Sequence, residues 1–163
     1  MKAKITPCLW FDTQAEDAAK FYISVFKNSR ITDTSYYSEA GHEGHGRPAG
    51  SVMVVAFELD GRPFTALNGG PHFTLNEAVS FQIDCEDQAE VDYYWDKLSE
   101  GTDPRSQQCG WVKDKFGLSW QVVPSILPEL LTHPDRAAAG RAMEAMMQMK
   151  KLDIAALQRA FEG

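Results

Sequence analysis

The sequence is poor in the features that mark secreted and membrane-spanning proteins. Cysteine occurs three times, at positions 8, 85 and 109, an odd number without CxxC spacing, which fits a reducing compartment better than a disulfide framework. The longest uninterrupted apolar run covers residues 52–57, far short of the ~20 residues of a membrane span. No signal-type apolar stretch precedes Asp12, so no export signal is expected. We therefore expect a cytoplasmic protein without a membrane partner.

Positive charge is also scarce. The 163 residues contain 16 Lys plus Arg against 23 Asp plus Glu, a formal net charge of −7. The whole acidic excess lies in residues 84–103, which hold eight acids and one base. Because no basic stripe is available to follow a phosphate backbone, we expect no nucleic-acid partner. The acidic stretch is interpreted as a solvated helix face, with an acidic docking patch as the alternative.

The first half of the chain contains one strand, one helix and three further strands. Residues 5–11 are rich in strand formers, and Thr13 with Glu16 forms a capping box that predicts a helix start. The predicted helix carries an apolar stripe, which consists of Ala18, Phe21, Tyr22, Val25 and Phe26. Strands are predicted at 30–38, 51–59 and 64–67, the last two joined by the hairpin signal Asp60-Gly61. The glycine-rich residues 39–50 are interpreted as a mobile surface loop that could act as a lid over a binding site, and the alternative is a metal site at His42, Glu43 and His45.

The same order of elements begins again after residue 77. A strand is predicted at 78–84 with Val79 on its apolar side, and Asp87 with Glu90 predicts a second helix start. A hairpin at 111–123 follows, and residues 106–108 stand where the second copy needs its edge strand. The sequence therefore predicts an α+β fold of two βαβββ modules, residues 1–70 and 71–124, in one domain that spans 1–124.

Residues 125–163 belong to neither module. Asp135 and Asp153 each precede an amphipathic segment and predict two further helices. Such short helices need a surface to pack on, which is either the chain's own domain or a partner subunit. We expect help from a partner subunit.

Several segments together resemble a known family. The opening ITPCLWF, the segment AAKFYISVF, the hairpin end DKFGLSWQVVP and the tail KKLDIAALQRAF resemble the PhnB-like branch of the vicinal oxygen chelate superfamily, whose members are often labelled demethylubiquinone 3-methyltransferase-like. The resemblance covers nearly the whole chain. It implies paired βαβββ modules that form a cupped mixed sheet of the glyoxalase type, in a homodimer.

The resemblance also implies where a metal ion would bind. Metal-using members place four ligands in the cup, and by position these fall on or beside Thr6, Asn68, Ala78 and Gln121. Thr6 and Ala78 cannot replace imidazoles, and one or two amides cannot hold a divalent cation firmly. We therefore expect no metal ion and no other cofactor. The methyltransferase label is not supported either, since the glycine-rich segments lie between strands rather than at a strand–helix turn.

The leading hypothesis is a metal-free protein that binds a small molecule in the cup. The residues expected to line the cup are Cys8, Trp10, Asn68, Gln82, Ser119 and Gln121. Aromatic surface favours planar or apolar ligands, and amides orient a ligand without charge.

Two alternatives belong to other functional classes. The first is a metal-independent or weakly metal-dependent lyase or isomerase that acts on a small carbonyl or aromatic substrate, with Glu58, Asp84 or Cys8 as its base. The second is an assembly protein that docks through its acidic face or its Met-rich tail. The sequence names neither the ligand nor a catalytic residue.

Overall fold

The fold was described from a computed structural model, which describes residues 4–163. The chain divides into two compact units, residues 1–75 and 76–163, hereafter unit 1 and unit 2. Each unit contains a mixed sheet, of four strands in unit 1 and three in unit 2, so the expected α+β fold class is confirmed. No helix within residues 4–163 is long and apolar enough to cross a bilayer.

Unit 1 is a four-stranded sheet with one long helix. Its strands are β1 (Cys8–Phe11), β2 (Arg30–Tyr36), β3 (Val52–Leu59) and β4 (Arg62–Asn68), and its helices are α1 (Ala15–Val25) and the short α2 (His42–His45). The strand order is β1-β4-β3-β2, with β1 parallel to β4 and the other pairs antiparallel. The Asp60-Gly61 hairpin is confirmed: both residues have positive φ, 47° and 70°, as a type I′ turn requires.

The core of unit 1 lies between α1 and one face of the sheet. Alternation along β1 buries Leu9 and Phe11 and leaves Cys8 exposed and Trp10 half-buried. Tyr22 of α1 stacks on Phe57 of β3 with ring centroids 6.3 Å apart. The other side of the sheet, which carries Cys8 and Trp10, is therefore not part of this core.

The predicted start of α1 is wrong in one respect. The helix begins at Ala15 with Gln14 as its N-cap residue, and no side-chain cap bond forms there among the described residues. Instead the Ala15 N–H donates to Asn68 Oδ1 of β4 at 2.8 Å. A residue 53 positions away therefore does what Thr13 was expected to do.

Unit 2 repeats the strand–helix–hairpin order with a shorter sheet. Its strands are β5 (Ser80–Cys85), β6 (Trp111–Lys113) and β7 (Ser119–Pro124), and its helices are α3 (Gln88–Ser99), a 3₁₀ helix (Pro104–Ser106), α4 (Leu127–Thr132), α5 (Arg136–Met147) and α6 (Ile154–Glu162). The strand order is β5-β7-β6, with β5 parallel and β6 antiparallel to β7.

Two predictions for the second module are wrong. The edge strand expected at 106–108 is replaced by the 3₁₀ helix and an isolated bridge between Gln108 and Trp111. Strand β5 begins at Ser80, which leaves Val79 outside the strand and 65% exposed. The first correction follows from Pro104, which has no N–H to donate to a ladder and begins the 3₁₀ helix instead.

The C-terminal helices form their own apolar cluster within unit 2. Its buried members are Leu127, Leu130, Ala142, Leu152 and Leu157. The predicted caps are confirmed, since Asp135 accepts bonds from Ala137 and Ala138 N–H and Asp153 accepts one from Ala156 N–H. The helices thus pack on the chain's own unit, and the expected contact with a partner subunit stays a prediction.

A bridge from α3 fixes the tail to the rest of unit 2. Gln88 Nε2 donates to Leu152 O at 3.1 Å, and Gln88 Oε1 accepts from Ile154 N–H at 2.9 Å. Lys151 also binds Asp92 and Asp96 on the acidic face of α3, at 2.8 and 3.6 Å. Part of the acidic stretch is therefore neutralised by the tail.

Candidate functional site

The open face of the unit 1 sheet carries two of the residues expected to line a ligand site. Cys8 and Trp10 project to the side opposite Leu9 and Phe11. The indole of Trp10 is fixed, because its Nε1–H donates to Gly70 O at 2.8 Å and its ring makes an edge contact with Phe73 at 4.9 Å. The structure brings Cys8 and Trp10 onto one surface.

Asn68 lies on the other side of the same sheet. It is 7% exposed and is the register partner of buried Phe11. Its amide is bonded at both ends, since Oδ1 accepts from Ala15 N–H and Nδ2 donates to Val52 O at 3.0 Å. Asn68 therefore holds the start of α1 against β3, a structural role that the strand pattern alone did not indicate.

The remaining three expected residues lie together on the polar face of unit 2. Gln82 of β5 and Gln121 of β7 are register partners, and Gln82 Nε2 donates to Gln121 Oε1 at 3.3 Å. Gln121 Nε2 donates to Ser80 Oγ at 2.8 Å. Ser119, next to Ser80 across the sheet, completes the face.

Ser119 differs from its neighbours because its hydroxyl is buried without a partner. The residue is 1% exposed, and its Oγ forms no hydrogen bond with any atom of residues 4–163. On the adjacent strand, Lys113 is its register partner, and the Lys113 ammonium is paired with Glu77. The face therefore combines neutral donors and acceptors with one unsatisfied hydroxyl.

Sequence reasoning missed two members of this face. Ser80 was treated only as a polar strand position, and Trp111 as a hairpin residue. Trp111 is the register partner of Gln121 and is half-buried. Alternation within β5 places Ser80 on the side of Gln82, and the pairing of β6 with β7 places Trp111 beside Gln121.

A separate cleft in unit 1 lies beside the start of α1. It has a volume of about 470 Å³, and its lining residues are Thr13, Glu16, Asp17, Arg47, Pro48, Ser51, Val52 and Asn68. Arg47 connects the 39–50 segment to the β1–α1 turn, because it donates to Asp12 Oδ1 at 2.7 Å and Asp12 O at 2.9 Å. Neither the cleft nor this connection was predicted.

The histidines of the 39–50 segment are tied to their own loop. They lie in the helical turn α2, where the His42 and His45 rings meet edge to face at 5.9 Å. His45 also packs on Tyr37 at 4.6 Å, and its Nδ1 accepts from Arg47 N–H. Residues His42–His45 thus form one helical turn, and the mobility expected for the 39–50 segment stays a prediction.

The candidate bases of the enzymatic alternative lie on different strands, two of them in unit 1 and one in unit 2. Glu58 is bonded to Arg30 at 3.0 Å on β2 and β3. Asp84 accepts from the Ser125 hydroxyl at 2.7 Å in unit 2. Cys8 is exposed on unit 1. None of the three is arranged with a second acid–base group among the described contacts.

The positions that the superfamily resemblance assigns to a metal do not fit a divalent cation. Thr6 and Ala78 lie outside the strands and offer one hydroxyl and one methyl group. Asn68 and Gln121 already use their amides in bonds to protein. Across residues 4–163, no cluster of three or more His, Cys, Asp or Glu side chains could hold a metal ion.

Comparison with known proteins agrees with the fold. The family model described as 3-demethylubiquinone-9 3-methyltransferase matches residues 3–123. A solved structure from Bacillus cereus, a putative 3-demethylubiquinone-9 3-methyltransferase described as a PhnB protein, is 34% identical, with a TM-score of 0.62 over 75% of this chain and 99% of that chain. Protein PA1353 from Pseudomonas aeruginosa is 17% identical with a TM-score of 0.56, over 76% of this chain and 98% of that chain, and shares the fold.

No protein of curated function matches the chain. The family match stops at residue 123, so the helical tail of unit 2 lies outside it. The matched residues 3–123 include the strands of both sheets, apart from Pro124 at the end of β7. The chain belongs to the 3-demethylubiquinone-9 3-methyltransferase family, the PhnB-like branch of the vicinal oxygen chelate superfamily.

Proposed function

We propose that this chain binds a small, uncharged polar molecule on the polar face of unit 2, without a tightly held metal ion. The observation that carries the proposal is the buried hydroxyl of Ser119, which has no hydrogen-bond partner within residues 4–163. Leaving a buried hydroxyl unsatisfied costs about 1–3 kcal/mol. A ligand that displaces the atoms covering Ser119 Oγ would supply the missing bond and recover that energy on binding.

The neighbouring groups support an uncharged ligand. Gln82, Gln121 and Ser80 form a chain of hydrogen bonds in which each amide N–H₂ donates to the next oxygen. The chain leaves the Ser80 hydroxyl hydrogen and the carbonyl oxygen of exposed Gln82 to meet a ligand. The charged groups beside this face already have partners, because the Lys113 ammonium is paired with Glu77 and the Asp84 carboxylate accepts from the Ser125 hydroxyl. Hydroxyl, carbonyl or amide groups on the ligand match such a face.

The proposal is tested by a thermal-shift screen and a matched pair of serine variants. The probes are nicotinamide, uracil, phenolic aldehydes and a short-chain demethylubiquinone, the last chosen from the family's description. For any probe that stabilises the protein, Ser119→Ala is expected to weaken binding by about tenfold, since one hydrogen bond is lost. Ser125→Ala, which removes an exposed hydroxyl on the same unit, is expected to bind as the parent does.

Two results would count against the proposal. One is a screen in which no uncharged probe raises the melting temperature. The other is a probe that binds Ser119→Ala and the parent equally, which would show that the probe forms no hydrogen bond with the Ser119 hydroxyl.

The metal-free part of the proposal has its own measurement. The amides of Asn68 and Gln121 are bonded to protein, and Thr6 and Ala78 are poor ligands. Elemental analysis of the purified protein is expected to find no stoichiometric metal bound at these positions. One Zn, Ni, Mn or Fe per chain that is lost in Gln121→Ala would contradict this.

We infer that methyl transfer from S-adenosylmethionine is not the activity of this chain, although the Bacillus cereus relative is described as a putative methyltransferase. The β1–α1 and β5–α3 connections, residues 12–14 and 86–87, contain no glycine to bring backbone N–H groups close to a nucleotide-type ligand. Isothermal titration with S-adenosylmethionine is expected to show no binding. Micromolar affinity would overturn this inference.

The homodimer that the resemblance implies also remains a proposal. Light scattering is expected to give twice the chain mass. A monomer at micromolar concentration would contradict it without affecting the ligand proposal, because the polar face lies within unit 2.

A further inference from the structure

Two sulfur atoms from different parts of unit 2 lie close together. Cys109 Sγ and Met147 Sδ are 3.8 Å apart. Cys109 lies in the turn before β6, and Met147 is the last residue of α5. The pair therefore joins the part of the chain that matches the family to the tail that does not.

Backbone contacts hold this pair in place. Cys109 N–H donates to Met149 O and Gly110 N–H donates to Lys150 O, both at 2.8 Å. The residues that follow α5 are anchored in turn, since Met149 packs against the apolar cluster of the tail. The backbone segments that carry the two sulfurs are thus held next to each other by the fold.

A third sulfur lies on the same helix. Met143 is one turn before Met147, and residues four apart lie on one helix face. Met143 and Met147 are 42% and 49% exposed, the exposed members of the tail's methionines, whereas Met146 and Met149 pack on the apolar cluster. The outer face of α5 therefore presents two thioethers beside one thiol.

We propose that Cys109, Met147 and Met143 form a binding site for a soft monovalent metal ion, Cu(I) or its analogue Ag(I). Thiolate and thioether ligands select such ions over hard cations. With metal–sulfur bonds of about 2.3 Å, two sulfurs 3.8 Å apart form an S–metal–S angle of roughly 110°. This angle leaves room for a third ligand. On binding, the Cys109 thiol releases its proton to solvent and the thiolate takes the metal.

The site differs from the superfamily's metal position in both place and chemistry. It lies at the junction of the β6 turn and α5, and it uses sulfur alone. Within residues 4–163, no cluster of three or more His, Cys, Asp or Glu side chains offers a competing site. Because the ligands come from both sides of the junction, metal binding fastens the tail to the rest of unit 2.

The test is an anaerobic titration of the reduced full-length protein with Cu(I) in competition with bicinchoninate. One Cu(I) per chain is expected. Cys109→Ser should abolish this binding, and Met147→Leu and Met143→Leu should each weaken it by about tenfold or more. Cys8→Ser is the matched control, because Cys8 is the exposed thiol of unit 1, and it should bind as the parent does.

A second readout separates the site from nonspecific thiol binding. Ag(I) is expected to raise the melting temperature of the parent and of Cys8→Ser, but not of Cys109→Ser. Circular dichroism checks that each variant is folded, and Met147→Leu changes a half-exposed side chain that should not affect folding. Binding that is lost in Cys8→Ser, or that is equal in Met147→Leu and the parent, would overturn the proposal.

Discussion

At the scale of single residues, Asp114 organises the β6–β7 hairpin. It is 3% exposed; its Oδ1 accepts from Phe116 and Leu118 N–H at 2.8 and 3.1 Å, and its Oδ2 accepts from Trp120 Nε1–H at 2.8 Å. Asp114→Ala leaves three donors without this acceptor, so we expect a loss of about 3 kcal/mol in the free energy of unfolding. Urea denaturation measures it.

Asp114→Asn is the control for this prediction. Its Oδ1 can still accept from the two backbone N–H groups, but its Nδ2 faces the Trp120 indole N–H as a second donor. The expected loss is therefore smaller than for Asp114→Ala. Equal losses in the two variants would show that the carboxylate matters only for its bond to Trp120.

Cys85 and Cys8 are expected to differ sharply in reactivity. Burial raises the pKa of Cys85 to about 12, with smaller contributions from the negative charges of Glu90 and Asp84. Cys85 thus remains a thiol at pH 8 and should resist iodoacetamide until the protein unfolds, whereas exposed Cys8 should react. Mass spectrometry of the labelled peptides measures both rates. Rapid labelling of Cys85 under native conditions would contradict the burial argument.

The same Cys85 pKa predicts a dependence of stability on alkaline pH. The unfolded thiol ionises near pH 9, whereas the folded thiol does so near pH 12. The folded chain therefore binds the extra proton over this interval, and the contribution of Cys85 to stability falls as pH rises from about 9 to 12. Cys85→Ala should lose this part of the alkaline slope in urea midpoints.

At the scale of elements, the start of α1 depends on β4. Asn68→Ala removes the acceptor for Ala15 N–H and the donor to Val52 O, so we expect a loss of about 2 kcal/mol. Thr13→Ala should change stability by less than about 0.5 kcal/mol, because Thr13 provides no cap bond. Thermal unfolding of both variants checks the assignment, and a larger effect at Thr13 would reverse it.

The start of α5 should respond to acid through Asp135. The hydrogen bond from Ala138 N–H, together with that from Ala137, holds the pKa of this carboxyl below its usual range. A carboxyl whose pKa is lowered in the folded state stabilises the protein at pH values above its unfolded pKa of about 4. This stabilisation is lost as pH falls through the folded pKa. Asp135→Asn keeps a capping oxygen without the titration. Its urea midpoint should fall less than the parent's between pH 6 and pH 3.

The elements that sequence reasoning placed correctly are those whose signals are local. Asp87, Asp135 and Asp153 cap the helices that follow them within three residues, so the sequence alone predicts these starts. The prediction of a Thr13 cap is wrong because the competing acceptor, Asn68, is distant in sequence and reaches Ala15 only through strand pairing.

The candidate site was predictable only in part, for the same reason. Gln82, Ser119 and Gln121 share a face because β5 and β7 pair in register, and alternation within each strand already indicated their side. Alternation within β4 also assigns Asn68 to one side of its strand. Which residues it meets there depends on the pairing of β4 with β1, in which Asn68 lies beside buried Phe11. The hydrogen-bond state of Ser119, which carries the proposed function, depends on packing that no pattern encodes.

At the scale of the whole chain, the tail is expected to be an integral part of unit 2. Leu152 is fully buried in the tail cluster and contacts the Gly110 turn. Leu152→Ala should cost about 3 kcal/mol and expose the bond after Lys151 to trypsin. Leu131→Ala, a half-buried position at the edge of the cluster, should show less of both effects. Protection of Lys151 in Leu152→Ala would show that the Gln88 bridge alone holds the tail.

Gly69 affects how a molecule can bind on the face of the unit 1 sheet that carries Cys8 and Trp10. A Cβ at this position would lie 2.2 Å from the Trp10 ring, so only glycine allows the indole to lie flat against the chain. With its N–H fixed on Gly70 O and its ring against Phe73, the indole loses its rotamer freedom when the protein folds. Immobilising a mobile aromatic side chain on binding costs about 0.5–1.5 kcal/mol. The Trp10 ring is therefore preorganised, and a molecule that packs on its exposed surface binds without that loss of side-chain entropy.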